Sequence, residues 1–247
     1  MTLSSDQATA LAASVAEPLG SAGAAHYFHP DTLAKGKELG LGGMQFYMLG
    51  RGGVLGDVEP AVVTSAFGYF HISSVTKLWN AGREKLAPRE AGRLYHDCCA
   101  ERGRTALAEV EGLDAFCDAA EAVIAGTNPA GLALYAGLAA EPLADDVPGR
   151  ALQLAAVLRE LRGSAHLLAL VATGIAPEVA HAVKRPEMVG PFGWDPGPDL
   201  STFNEDLRRQ AEDLTDRIVG AGLVGLSQAQ ADALVAGAAA IAAAVAQ

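Results

Sequence analysis

Apolar residues recur along this chain at spacings of three and four, the period of a helix with one buried face. The period-two alternation of a half-buried strand is nearly absent. The clearest run, RALQLAAVLRELR over 150–162, is strongly periodic. Cap and stop residues divide the pattern into segments. Ser4-Ser5-Asp6 open a helix over about 6–17 that ends near Pro18 and Gly20; a short one follows over 21–28. Asp31 caps a helix running to Leu39, and Pro60 starts one over 61–69 that is apolar nearly all round and is expected to be buried. Ser73-Ser74 cap a helix to Gly82, and further helices are expected over 88–103, 107–125 and 131–140. After 150–162, Gly163-Ser164 interrupt the pattern; helices over 166–173 and 176–183 then flank Gly174, in the manner of a helix-turn-helix. Residues 186–201, with four prolines and three glycines, read as a loop. Helices over 203–219 and from Ser227 onward complete the chain. The expected fold class is all-α. Two helical halves, 1–140 and 150–247, meet at the proline-bearing segment 141–149, and the second half carries degenerate helix-turn-helix character.

Composition strengthens the helical reading. Abundant alanine and leucine and few β-branched residues favour helix over sheet. Half of the 247 residues are hydrophobic, enough for a sizeable core. The formal charge of −11 opposes non-specific binding to nucleic acid or anionic membrane, which needs basic surface. Nucleic acid is therefore not expected as a partner; an acidic protein can still carry a local basic patch, but no dense lysine–arginine run is present. Cys98, Cys99 and Cys117 form no CxxC pair and read as reduced thiols. The N-terminal stretch has no basic region and carries Asp6 and Glu17, unlike a signal peptide. The alanine-rich tail falls short of the roughly 20 apolar residues of a spanning helix. The expected location is the cytoplasm, with no membrane partner; a homodimer is left open.

The densest chemistry lies between Leu39 and His71, where glycines, aromatic residues, Arg51, Asp57 and His71 are concentrated. Residues 44–49 read as a short helix ended by Gly50, and 50–56 as a glycine loop carrying Arg51. One reading is an anion or cofactor cradle of glycine N–H groups and Arg51 at a helix N-terminus. However, GRGGVLG lacks the lysine of a phosphate loop and follows no strand. The other reading is a tight helix–helix turn in which Arg51 pairs with Asp57 or Glu59. His26 and His29 have metal-like spacing, but no glutamate or cysteine lies at ligand spacing beside them and Pro30 breaks the helix, so no metal is assigned.

Four groups of residues carry a family resemblance: Tyr27-Phe28 with Pro30; Leu39-Gly40-Leu41 through Gly50-Arg51; Ser65-Ala66-Phe67 to Phe70; and Leu158-Arg159-Glu160-Leu161-Arg162-Gly163 ending at His166. In these the chain resembles an actinobacterial family of largely uncharacterised helical proteins with helix-turn-helix character. The resemblance implies helical architecture of winged-helix ancestry and implies no activity. This chain departs from the family's pattern at Leu161, Ser164 and Ala165. It departs again where Gly193-Trp194 runs almost directly into the helix of Asp206–Ile218.

No GxSxG, HExxH or paired-acid motif is present. The expected function is a small-molecule-binding or sensing protein on a degenerate DNA-binding scaffold. Its ligand pocket would lie between the helical halves and be lined by Tyr47, Arg51, Tyr69, His71 and His166. Arg162 and His166, four apart, share a face if the helix continues past Gly163. A cofactor-independent enzyme using His, Tyr and Arg acid–base chemistry is the first alternative, and a DNA-binding regulator is the second. The sequence assigns no cofactor.

Overall fold

The computed structural model describes residues 2–247. Among them are thirteen α-helices and no strand, as the periodicity requires. In chain order they are α1 (Ser5–Ser14), α2 (Ala16–Ala24), α3 (Pro30–Glu38), α4 (Gly43–Gly53), α5 (Pro60–Phe67), α6 (Ile72–Arg83) and α7 (Pro88–Ala106). After these come α8 (Leu113–Gly126), α9 (Ala133–Ala139), α10 (Val147–Thr173), α11 (Pro177–Lys184), α12 (Glu205–Ala221) and α13 (Gln228–Val245).

The long helix α10 is the axis of the fold. It packs against α2, α7, α8, α9 and α12, so residues 151–158 are buried without a break. A helix buried all round must satisfy its polar side chains internally. Gln153 does so by donating to His96 O at 3.0 Å and accepting from Ala144 N at 2.7 Å. One large apolar cluster joins both chain ends to α10, with Leu3, Ala12, Phe116, Leu154, Leu234 and Ile241 among its members. At its edge Leu3 N donates to Leu226 O at 3.0 Å. A second cluster, around Phe46, Phe67 and Trp79, binds α4 to its neighbours α6 and α7.

Three local expectations are corrected. The glycine stretch 50–53 is helical, because α4 and α7 approach too closely for side chains. A Cβ on Gly50 would stand 2.5 Å from Tyr95 Cγ, and one on Gly53 would stand 2.0 Å from Pro88 O. Arg51 therefore projects from a rigid helix. Gly163-Ser164 do not interrupt α10 either, since packing on both sides outweighs glycine's low helix propensity. Helix α5 is not buried all round; Val62 is 46% exposed.

Apolar composition makes α13 the one helix long and hydrophobic enough to suit a membrane among the described residues. Its Leu234, Ala238 and Ile241 are nevertheless core residues, and it packs on α8 and α2.

Candidate functional site

A cavity of about 780 Å³ opens between α2, α4, α5, α10, α11 and α12. This is within the size range of small-molecule sites. Residues from both sides of the 141–149 segment line it.

Its floor is Glu160, whose side chain is 1% exposed. Arg51 grips this carboxylate side-on, with Nε donating to Oε1 at 2.9 Å and Nη2 to Oε2 at 2.8 Å. The hydroxyl of Tyr27 donates to Oε1 at 2.6 Å. Arg159 Nη1 donates to Oε1 at 2.8 Å and to the Tyr27 hydroxyl at 2.9 Å. Arg51 Nη1 reaches the Tyr47 hydroxyl at 3.0 Å. Aromatic faces hold both guanidiniums: Arg51 Cζ lies 4.4 Å from the centre of Phe67, and Arg159 Cζ lies 4.8 Å from that of Tyr27. Burial alone would raise the carboxyl pKa of Glu160. The two guanidiniums outweigh it and hold the pKa at about 2, so the group is an anion throughout the physiological range.

The opposite wall has a different charge pattern. Arg162, two residues further along α10 than Glu160, donates to Asp216 at 2.5 Å and to Glu212 at 3.0 Å. His166 Nδ1 lies 3.0 Å from Thr215 Oγ1, whose single hydroxyl proton goes to Ala211 O at 2.7 Å. Nδ1 must therefore carry the imidazole proton, which leaves Nε2 with a free lone pair. Burial lowers the His166 pKa against the opposing pull of Glu212, so the ring is neutral at pH 7. Arg162 and His166 do share a face, as their spacing requires in a continuous helix.

The structure thus brings Tyr47, Arg51, Tyr69 and His166 to one cavity. Arg51, however, pairs with neither Asp57 nor Glu59. Its donors are committed to Glu160 and Tyr47, and Asp57 faces Arg83 instead. His71 does not line the cavity. It is the N-cap of α6, where Nδ1 accepts from Ser73 N, and its ring meets Trp194 edge-on. Tyr27, Arg159 and Glu160 were not among the expected site residues. The available signal was the Arg-Glu pair inside an otherwise apolar helical stripe, where an ionised carboxylate needs a cation.

At its C-terminal end α10 turns at Gly174, in the left-handed conformation at φ 82°, and α11 leaves at an angle of 114°. Two helices at about 90–120° around a short glycine turn make a helix-turn-helix. The model of a helix-turn-helix family matches residues 11–196. The chain belongs to this helix-turn-helix family. No curated protein and no solved structure matches it. Among the described residues no strand follows α11, where a winged helix would place its hairpin. The segment contains two single-turn 3-10 helices, Pro186–Met188 and Leu200–Thr202. Phe192, between them, stacks on Phe70 at 3.8 Å and on His181 of α11 at 4.5 Å. Helix α11 itself contributes His181 and Lys184 to the rim of the cavity.

Proposed function

We propose that this family member binds a small molecule in the α10 cavity and senses it through α11. One observation carries the reading: a cavity of about 780 Å³ ends on a preorganised cluster of Arg51, Arg159, Glu160 and Tyr27. Rigid charged groups at the end of a largely apolar cavity are what an orientation-specific binding site requires. Because α11 supplies part of the rim, a ligand that favours one position of α11 would bias the helix-turn-helix. The proposed location is the cytoplasm.

Native mass spectrometry of the purified protein, with a thermal-shift screen, tests the reading. A ligand at about 100 times its Kd adds roughly 2.7 kcal/mol of stability. Ala66→Trp puts a bulky side chain on the cavity lining, so it should abolish the shift. A shift that survives in this variant would place binding elsewhere.

Acid–base catalysis is a second reading, favoured by the neutral His166 with a free Nε2 on the cavity wall. Duplex binding is compatible with the family, and the exposed Lys184 and Arg185 at the end of α11 favour it. The net charge of −11 opposes it. A gel shift at about 50 and 200 mM salt tests it through the steep salt dependence of phosphate contacts.

A further inference from the structure

Arg159 differs from Arg51 in how its donors are used. Arg51 spends its Nε–Nη2 edge on Glu160 and its Nη1 on Tyr47. Arg159 makes its hydrogen bonds through Nη1 alone. Its Nε and Nη2 bond to nothing among the described residues and neither is sealed from solvent, and Arg159 lines the cavity. That free edge is the same edge with which Arg51 holds the planar carboxylate of Glu160. The guanidinium is fixed in place: its plane rests on Tyr27, and the missing side chain of Gly23 lets α2 close against the Arg159 stem. A Cβ on Gly23 would stand 2.7 Å from Arg159 Cβ.

Charge points the same way. Two guanidiniums face one carboxylate at the floor, which leaves one positive charge uncompensated. Five Lys or Arg side chains and three Glu line the whole cavity, in a protein whose net charge is −11. Apolar and aromatic residues also line the cavity, with Phe67, Phe70 and Leu19 among them.

We infer that the cavity takes a carboxylic acid with an apolar, aromatic-sized body, its carboxylate held bidentately by Arg159. This rests on the cavity being a ligand site. A planar two-oxygen anion matches the free fork, and a single negative charge matches the uncompensated one.

The test is a fluorescence-anisotropy titration with two probes of nearly equal shape, 1-pyrenebutyrate and the uncharged 1-pyrenebutanol. The parent should bind the acid about 10-fold or more tightly than the alcohol, as charge-assisted bonds of this kind provide. In Arg159→Gln the preference should fall to about 1–3-fold with pyrenebutanol affinity unchanged, which also reports an intact cavity. Arg159→Lys, which keeps the charge and loses the fork, should lie between. If the glutamine variant loses its helical circular dichroism, the lysine variant decides: an undiminished preference there overturns the bidentate assignment. Equal binding of acid and alcohol by the parent overturns the carboxylate and leaves the cavity reading standing. Binding of neither overturns both. A preference unmoved in a folded Arg159→Gln assigns the anion to another group and overturns the inference.

Discussion

The two charged ends of the cavity are built from the same residue types with opposite outcomes. On the floor, two arginines share one glutamate that is almost completely buried. On the far wall, one arginine faces two acids, and each partner keeps partial access to solvent. The floor therefore carries a surplus cation around a dry carboxylate, and the wall a surplus anion whose acids keep partial access to solvent. Buried ion pairs must be geometrically complete, because a lone buried charge is costly. Half-exposed pairs are screened and contribute little. Position along α10, and not residue type, decides which groups are structural necessities and which are adjustable.

The strongest way to break this contrast is Glu160→Gln. It strands two guanidiniums, and removing one partner of a buried pair costs about 3–5 kcal/mol. At roughly 2–4 °C per kcal/mol, the melting temperature followed by circular dichroism should fall by about 6–20 °C. Glu212→Gln on the wall should change stability by about 1 kcal/mol or less. Equal effects would erase the distinction.

Acid sharpens it next. His26 and His96 sit behind the floor, beside a void of about 20 Å³, and their Nδ1 and Nε2 respectively lack partners. Burial pushes their pKa values down from 6.5, to about 3 for His26, helped by the charges of His96 and Arg159, and to about 4 for His96. Below pH 6.5 the unfolded chain takes up protons that the folded one refuses. The stability of the neutral rings is thus fully present above pH 6.5 and is lost as pH falls towards 3. The contribution of Glu160 has the same sign, present above its ordinary pKa near 4.5 and lost as pH falls through about 2. Urea unfolding at pH 5 should give about 2 kcal/mol less stability per histidine than at pH 7.5. His26→Phe should flatten the dependence; an unchanged slope would assign it to other groups.

A smaller effect comes from beneath the floor. Gly53→Ala would force α4 away from Pro88 on α7, and overpacking of this kind costs about 1–3 kcal/mol. Arg51 rides on α4, so probe binding should weaken together with stability. The smallest effect has the opposite direction. Gly163→Ala on the open side of α10 meets nothing closer than Glu160 Oε2 at 3.9 Å. It should stabilise the helix by about 0.5–1 kcal/mol in a denaturation midpoint. A loss there would mean that α10 uses its glycine as a hinge.

Helix existence was legible in the sequence because caps and periodicity are local: Ser4, Pro60, Pro88, Gly174 and Ser227 mark real ends. The glycine run at 50–53 misled because its reason is tertiary, the surface of α7, which no neighbouring residue announces. That Arg51 would line a cavity was legible but its partner was not, since Glu160 lies 109 positions away. Two tyrosines and His166 were found through polar tips on apolar segments. His71 carried the same signal for a different reason, because a histidine two residues before a helical N–H can cap it.

The bond between Leu3 and Leu226 has a consequence for how this chain is made. Helix α1 rests on α12, about 190 residues later in the sequence. At about 5–20 residues per second, roughly 10–40 s of synthesis separate the two. Throughout that interval Ala8 and Ala12 lack the α12 surface on which α1 rests. Helix α1 leaves the ribosome well before α12, so it is late to find its place, and during that wait it is open to a chaperone.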